Sequence, residues 1–183
     1  DGRHFHPLAS EGGHADFAPR DELEIELLRD LIGRFGHVSY ERVLSGPGLL
    51  NIYRFFKESR GLEEPPALSA QFAAADDPGA VISKAALASE AEICVKSLDL
   101  FVSIYGAEAG NLALRAKSVR GLYIGGGIAP KILAKLKDGA FMRGFIDKGR
   151  YSDLLAAIPV QVVLNDQAAL RGAAYYAAFL ASD

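Results

Sequence analysis

The sequence predicts an α/β fold that is rich in helix and carries a short parallel sheet. Two short runs of β-branched and apolar residues, at 119–124 and 160–164, are each followed by turn residues and then by a helical pattern. Strands that alternate with helices form parallel sheets covered by helices. Half of the 183 residues are apolar, which suffices for one sizeable core, so a single domain is expected.

Helical patterns dominate the first half of the chain. Asp21 is expected to cap a helix whose apolar residues recur at spacings of three and four and which ends near Gly33 and Gly36. A weak strand pattern precedes this helix at residues 3–9.

The stretch that follows is more irregular. Residues 38–44 form a mixed segment compatible with a first helical turn, and the Ser-Gly-Pro-Gly segment at 45–48 predicts a break. Helical spacing resumes over 49–56. A loop at 61–66 then leads into a short helix at 67–75.

Two further helices are marked by their start signals. Asp77 followed by Pro78 predicts an N-cap with proline at the first helical position, and this helix should run to about Ala88. Ser89, with a glutamate three residues later, matches a capping box for a helix over 90–116. Apolar residues surround most of that helix, which predicts burial on several sides.

In the second half, each predicted strand leads into a helix. Three glycines end the first strand, and the next helix should have Pro130 in its first turn and end at Gly139. The second strand leads into a helix capped by Asn165 or Asp166 that runs to about Leu180.

Composition and charge exclude several classes of protein. A net charge of -3 and a pI of about 5.8 provide no electrostatic footprint for nucleic acid or for an anionic membrane. No run approaches the roughly 18 to 20 apolar residues of a membrane-spanning helix, and no secretory leader is recognisable. Cys94 is the only cysteine, so an internal disulfide is excluded, and the protein is expected in the cytoplasm.

Glu11 and His14 are the first candidates for a binding site. They flank two glycines, which allow the backbone to turn tightly and to approach a ligand closely. A sugar hydroxyl needs donors and acceptors; a carboxylate accepts hydrogen bonds, and a neutral histidine supplies one donor and one acceptor. Taken alone, the pattern more often marks a solvated turn glutamate and a histidine bonded to backbone.

Two glycine-rich turns, at 45–48 and 125–127, adjoin predicted helix starts. A glycine-rich turn lets a nucleotide lie close to the backbone, and a helix N-terminus offers N–H groups to anions. The same glycines would also be needed for a chain reversal or for close packing between a strand and a helix. The P-loop pattern is absent, and the dinucleotide fingerprint fails because Pro130 occupies its third glycine position. Lys131 and Arg42 could attract a phosphate electrostatically.

The histidines do not form a metal pattern. His4, His6 and His37 have no cysteine at ligand spacing, and two ligands on one strand face do not make a structural zinc site. No metal site is therefore predicted in the chain. The Asp-Lys-Gly-Arg segment at 147–150 is interpreted as a charged, solvated turn.

Three segments together resemble one family. They are EGGHADFAP at 11–19, ERVLSGPG at 41–48 and YIGGGIAP at 123–130. In this order they resemble the carboxy-terminal half of the bacterial hexokinase-type glucokinases, and the resemblance extends over nearly the whole chain. Because Cys94 stands alone, the chain differs from the relatives that combine Glu-x-Gly-His with a cysteine-rich zinc cluster.

The resemblance implies roles for individual residues. Glu11, His14 and Glu41 would contact hydroxyls of glucose, although Glu41 taken alone is an ordinary surface glutamate beside Arg42. The nucleotide would lie on the two glycine-rich turns, and the resemblance assigns the adenosine to the second of them. The predicted nucleotide-binding residues are Ser45, Gly46, Gly48, Gly126, Gly127 and Ile128.

The resemblance also implies a fold and a reaction. The fold would be that of an actin-like, ribonuclease-H-type ATPase, and residues 1–183 would be the incomplete carboxy-terminal, large domain, without the amino-terminal domain. The reaction would be transfer of the ATP γ-phosphoryl group to the 6-hydroxyl of glucose, with Mg²⁺ bridging the phosphates. The catalytic carboxylate would lie upstream of Asp1, so this chain alone is expected to be inactive. Members of the family are often homodimers.

Several alternatives stay open. The chain could be a non-catalytic sugar-binding or regulatory module of the same fold, or a structural domain whose glycines are only turns. Within the kinase interpretation, another hexose could be the substrate, and polyphosphate or ADP could be the phosphoryl donor.

Overall fold

The structure, a computed structural model, describes Pro7 and residues 9–180. As predicted, this part of the chain is rich in helix and has a short parallel sheet. The predicted strand at 3–9 lies almost wholly outside the described residues. The helices are α1 (Glu22–Phe35), α2 (Gly46–Arg54), α3 (Pro66–Ala73), α4 (Pro78–Leu87), α5 (Glu92–Ala116), α6 (Ile128–Lys131), α7 (Leu133–Leu136), α8 (Ala140–Ile146), α9 (Ser152–Ala156) and α10 (Ala168–Leu180).

Helix α1 begins and ends as the local sequence dictates. The Asp21 side chain accepts a hydrogen bond from the Glu24 N–H at 2.9 Å, which satisfies one of the free donors at the helix start. Gly36 ends the helix with a φ of 71°, a conformation that glycine adopts at little cost. Leu27 and Leu31 are fully buried on the side that faces the core.

A short antiparallel contact joins the chain before α1 to the chain after it. Asp16 and Ser39 form an isolated β-bridge, and the Phe17 N–H donates to the Val38 carbonyl at 2.9 Å. The mixed stretch that we expected to be compatible with a helical turn is therefore extended at its start. It then enters a 3-10 turn at Tyr40–Arg42.

The segment at 45–48 is the cap and the first turn of α2, so the predicted break there is wrong. The Ser45 hydroxyl accepts a hydrogen bond from the Gly48 N–H at 2.9 Å. The helical spacing predicted for 49–56 is confirmed, and α2 continues without interruption into a wider π-helical turn at Phe55–Ser59.

The predicted cap of α4 is confirmed, and the capping box predicted for α5 is wrong. The Asp77 side chain accepts from the Ala80 N–H at 3.1 Å. Ser89 has a φ of 55°, and its N–H donates to the Ala86 carbonyl at 3.0 Å, so Ser89 ends α4. Ala91 holds the N-cap position of α5 and makes no side-chain capping bond.

Helix α5 is the centre of the described fold. More than half of its 25 residues are buried, including Cys94, which is fully enclosed. Helices α2 and α4 pack against one part of its surface, and α8 packs against another. The contact with α8 is made backbone to backbone, because a Cβ on Gly106 would overlap the Phe141 carbonyl and one on Gly144 would overlap the Ser103 carbonyl.

The sheet consists of β1 (Leu122–Ile124) and β2 (Val160–Val162), which run parallel and pair residue for residue. Both strands are shorter than predicted. The single helix predicted between Pro130 and Gly139 is wrong, since α6 and α7 are separated at Ile132.

Helix α10 starts three residues after Asn165, whose side chain accepts from the Gln167 N–H at 3.0 Å. None of the residues of α10 is buried, in contrast to α5. Within residues 9–180, no helix combines the length and the apolar character that crossing a membrane requires.

Candidate functional site

The segments that carry His14 and Glu41 meet because the chain just before α1 pairs with the chain just after it. Continuing the register of the Asp16–Ser39 bridge outward brings His14 opposite Glu41. The His14 Nε2 atom lies 3.2 Å from Glu41 Oε2. The Gly12–His14 segment forms a 3-10 turn, in which the His14 N–H donates to the Glu11 carbonyl at 2.9 Å.

His14 and Glu41 lie in a cleft of about 330 Å³, which we call the histidine cleft. Both side chains are more than half exposed, so they are accessible to a ligand. The lining of the histidine cleft includes His14, His37, Ser39, Glu41, Arg42 and Ser45. Glu11 is exposed and does not line the cleft, although it begins the turn that leads to His14; its carboxylate makes no hydrogen bond or ion pair within the described residues.

Buried residues hold the Glu41 turn in place. The Tyr40 ring is buried, with its centroid 5.8 Å from that of Phe17 in an edge-to-face contact. On α5, the Asn111 amide donates to the Tyr40 hydroxyl at 3.2 Å. Burial, followed by the nearby Glu108 carboxylate, raises the pKa of the Tyr40 phenol. Tyr40 is therefore a neutral anchor that fixes its neighbour Glu41 at the rim of the cleft.

Ser45 connects this turn to α2. Its hydroxyl donates to the Glu41 carbonyl at 2.7 Å and accepts the capping bond from Gly48. A second link comes from Asn51, whose amide donates to the Arg42 carbonyl at 2.9 Å. The only side-chain donor of Ser45 is thus used within the chain, and the predicted contact of Ser45 with a nucleotide stays a prediction.

The other predicted nucleotide residues differ in exposure. Gly48 is buried, and a Cβ there would lie 2.6 Å from the Val43 carbonyl carbon, so packing within the chain already requires this glycine. Gly126 has a φ of 96°, and a Cβ on it or on Gly127 would meet open space. The second turn therefore presents bare backbone, and Ile128 begins α6 directly after it.

Two depressions continue from the histidine cleft toward this turn. A small one of about 50 Å³, the central depression, lies between the starts of α2 and α4 and helix α6; its lining includes Ser45, Gly46, Asp77, Ser83, Ile128 and Lys131. The glycine depression, of about 520 Å³, is lined by Gly125, Gly126, Gly127, Lys131, Asn165 and Asp166, among others. Ser45 lines both the histidine cleft and the central depression, and Lys131 lines both the central and the glycine depressions.

A larger depression, of about 600 Å³, lies against β1, β2 and helices α7 and α8. It is lined mainly by apolar side chains and contains none of the predicted site residues. We place the candidate site on the histidine cleft, where polar side chains that could orient a ligand converge, together with the central and glycine depressions, which share lining residues with it or with each other.

The segment at 147–150 is only partly solvated. It is a loop that enters a 3-10 turn at Gly149–Tyr151, but the Lys148 side chain is half-buried. A Cβ on Gly110 of α5 would lie 2.9 Å from Lys148 Cε. Burial, followed by the Arg20 guanidinium, lowers the pKa of Lys148. The segment is therefore docked on α5.

One polar residue of the histidine cleft, His37, was not singled out from the sequence as a binding residue. His37 lines the cleft, and its Nε2 atom lies 2.8 Å from Asp16 Oδ1. The alternation of polar and apolar residues from His37 to Glu41 is the signal that could have indicated a strand with one polar face. The described residues contain no group of three or more His, Cys, Asp or Glu side chains that could hold a metal ion.

Comparison with known sequences identifies the family. The family model described as Glucokinase matches residues 1–179. The curated glucokinase of Nostoc sp. is 45% identical over 191 aligned residues, which cover 98% of this chain and 56% of the Nostoc protein. The glucokinase of Hahella chejuensis is also 45% identical, with 92% of this chain and 49% of the relative covered. The chain thus spans about half the length of the curated relatives it matches.

Solved structures agree with this result. A glucokinase from an Antarctic psychrotroph superposes with a TM-score of 0.75 at 35% identity, covering 87% of this chain and 47% of that one. The glucokinase of Balamuthia mandrillaris, solved in complex with glucose, gives a TM-score of 0.71 at 20% identity, over 87% of this chain and 44% of that one. At that identity the second likeness shows the fold alone. The family match, the curated relatives and the solved structures together show that the chain belongs to the glucokinase family.

Proposed function

We propose that this chain forms the sugar-positioning part of an ATP-dependent glucokinase, which transfers the γ-phosphoryl group of ATP to the 6-hydroxyl of glucose. The observation that carries the proposal is the His14–Glu41 pair, held at 3.2 Å in an open cleft of about 330 Å³. This volume lies in the range of about 300–1,000 Å³ that is typical of small-molecule sites.

The groups in the cleft suit a hexose. In the cleft, Glu41 can accept hydrogen bonds from sugar hydroxyls, and His14 offers a nitrogen that donates or accepts. Glu11, in the turn that leads to His14, would add a second acceptor. Because backbone pairing and the Tyr40 anchor fix the two segments, these groups are oriented before the ligand arrives. In this proposal Glu11, His14 and Glu41 orient the sugar and do not break bonds.

The nucleotide would lie on the other side of Ser45. Gly126 and Gly127 leave bare backbone on which an adenosine can rest, and the linked depressions lead from there to the sugar. We propose that the phosphates lie between, near the start of α2. The Ser45 cap takes the Gly48 N–H and Pro47 has no N–H, so the Gly46 N–H and the positive end of the helix dipole are what this end offers to an anion. The fold that this implies is the actin-like, ribonuclease-H-type ATPase fold.

No described residue is assigned as the base that removes the proton of the 6-hydroxyl. In this proposal the base belongs to a part of the protein outside this sequence, as the greater length of the relatives allows. The described residues also lack a cluster of acidic groups that would hold Mg²⁺ by themselves.

The proposal is tested in the full-length protein by steady-state kinetics with glucose and ATP. In Glu41→Gln, one charged hydrogen-bond acceptor is lost, so the KM for glucose should rise about 10- to 100-fold while the KM for ATP stays nearly unchanged. Glu63→Gln is the matched control, because Glu63 is exposed and lies outside the residues that line the histidine cleft. Equal KM values for glucose in the two variants would contradict the proposal.

The same preparation separates the open alternatives. Calorimetric binding of glucose without formation of glucose 6-phosphate would favour a non-catalytic sugar-binding module. Absence of both binding and turnover would favour a structural domain. Turnover that is faster with another hexose, or with ADP or polyphosphate as donor, would change the substrate and leave the site in place.

A further inference from the structure

A second histidine–carboxylate pair, of which the histidine lines the histidine cleft, lies on the same face as the first. His37 Nε2 is 2.8 Å from Asp16 Oδ1, and His14 Nε2 is 3.2 Å from Glu41 Oε2. His37 lines the same cleft as His14 and Glu41. The proposed function assigns no part to His37 or Asp16.

The backbone brings this pair to the cleft for the same reason as the first. Asp16 pairs with Ser39, and His37 lies two residues before Ser39, on the same face of the extended segment. The intervening residue Val38 and the paired Phe17 point to the opposite face and are buried. One face of this contact therefore belongs to the core, and the other face carries His37 and Asp16.

The carboxylate fixes the protonation pattern of the neutral imidazole. An ionised carboxylate only accepts hydrogen bonds, so the hydrogen-bonded Nε2 atom of His37 must carry the proton and donate to Asp16. The Nδ1 atom of His37 is then left as an acceptor. A sugar hydroxyl can donate to such an atom.

Stability does not account for the pair. The side chains of His37 and Asp16 are 62% and 89% exposed, and exposed ion pairs typically contribute between about 0 and 1 kcal/mol. The Arg42 guanidinium lies 4.3 Å from the centre of the Phe35 ring, and both residues line the same cleft as His37.

We propose that His37 accepts a hydrogen bond from one hydroxyl of the bound sugar and is a specificity-determining residue, with Asp16 positioning its ring. This inference rests on the proposed function, because it assigns a further contact to the same sugar site.

The experiment uses the full-length protein and a set of sugars that each lack one hydroxyl: 1-deoxy-, 2-deoxy-, 3-deoxy- and 4-deoxyglucose. KM and kcat are measured for each sugar with the unsubstituted protein and with His37→Ala. We expect His37→Ala to raise the KM for glucose about three- to tenfold, the loss of one hydrogen bond, with kcat within about twofold and the KM for ATP unchanged.

For one deoxyglucose this increase should disappear, because that sugar lacks the hydroxyl that His37 contacts. Asp16→Asn should show the same sugar pattern with a smaller increase in KM, since an amide no longer fixes the proton on Nε2. An increase that is equal for all five sugars would mean a purely structural role and would overturn the inference. An unchanged KM for glucose would also overturn it.

Arg29→Ala is the matched control, because Arg29 forms an exposed pair with Glu22 on α1 at 3.5 Å, away from the cleft. Its KM values should equal those of the unsubstituted protein. If the unsubstituted protein fails to bind glucose in calorimetry, the proposed function and this inference fail together. If it binds glucose and His37→Ala shows no selective change, only the inference fails.

Discussion

The packing around α5 and the rim of the histidine cleft use similar residue types in opposite ways. Glu24 is fully buried and bound by Arg20, whose guanidinium also donates to Ser103 of α5 at 2.8 Å. The Glu41 side chain is 56% exposed, and among the described residues its carboxylate pairs only with His14, which is also more than half exposed. The buried carboxylate holds helices together, whereas the exposed one is available to a ligand. Stability and binding are therefore separable in this molecule.

The largest expected loss of stability comes from breaking the buried pair. Arg20→Met leaves the Glu24 carboxylate buried without its cation, so the free energy of unfolding should fall by about 3–5 kcal/mol. Urea denaturation of the full-length protein measures the change.

The exposed Arg29–Glu22 pair provides the control for this variant. Arg29→Met should cost less than about 1 kcal/mol, because both side chains are mostly solvated. The double variant Arg20→Met/Glu24→Leu should recover most of the loss. If Arg20→Met and Arg29→Met lowered the free energy of unfolding equally, the buried pair would be no more important for stability than an exposed pair.

A smaller loss is expected where α5 and α8 touch through backbone. Gly106→Ala forces a methyl group into the Phe141 carbonyl, and overpacking of this kind costs about 1–3 kcal/mol. Gly33→Ala in α1 is the matched control, since a Cβ there meets open space and should stabilise the helix by about 0.4–1 kcal/mol. Thermal unfolding of both variants should give shifts in Tm of opposite sign.

Ser45 lines the histidine cleft and also caps α2, which packs against α5, so its replacement should affect both stability and glucose binding. Ser45→Ala removes the cap of α2 and the bond to the Glu41 carbonyl, so stability should fall by about 1 kcal/mol. The KM for glucose should rise as well, because the Glu41 turn loses a support. Asp21→Ala removes the cap of α1 and should cost similar stability with no change in this KM.

The smallest effect on stability is expected at the cleft itself. Glu41→Gln should change the free energy of unfolding by less than about 0.5 kcal/mol, although it should have the largest effect on glucose affinity. Denaturation and calorimetry on one preparation check both statements. A loss of several kcal/mol would mean that Glu41 is a structural residue.

Local signals in the sequence predicted local structure well. The caps at Asp21 and Asp77 follow from a side chain that bonds its own helix start, which neighbouring residues alone determine. The capping box at Ser89 failed for a physical reason, because the left-handed conformation of Ser89 is needed to end α4. One residue carried signals for two helices, and the sequence did not tell which prevails.

Contacts between distant segments were harder to predict. The alternation from His37 to Glu41 indicates a strand. Its pairing partner, residues 15–17, precedes α1 in the sequence, and no local pattern identifies that partner. The closeness of His14 and Glu41 was expected through the resemblance alone. The break between α6 and α7 at Ile132 and the docking of α8 on Gly106 depend equally on tertiary packing.

Because Cys94 is fully enclosed, modification of its thiol requires that the core open. Burial raises the pKa of the thiol to about 11, so only about one in ten thousand of these groups is a thiolate at pH 7. Because the chain has no other cysteine, alkylation by a small electrophile would proceed only as fast as α5 separates from its neighbours. The rate of that alkylation is therefore limited by how often α5 separates from the helices packed around it, and the natural cysteine makes this measurable without a substitution.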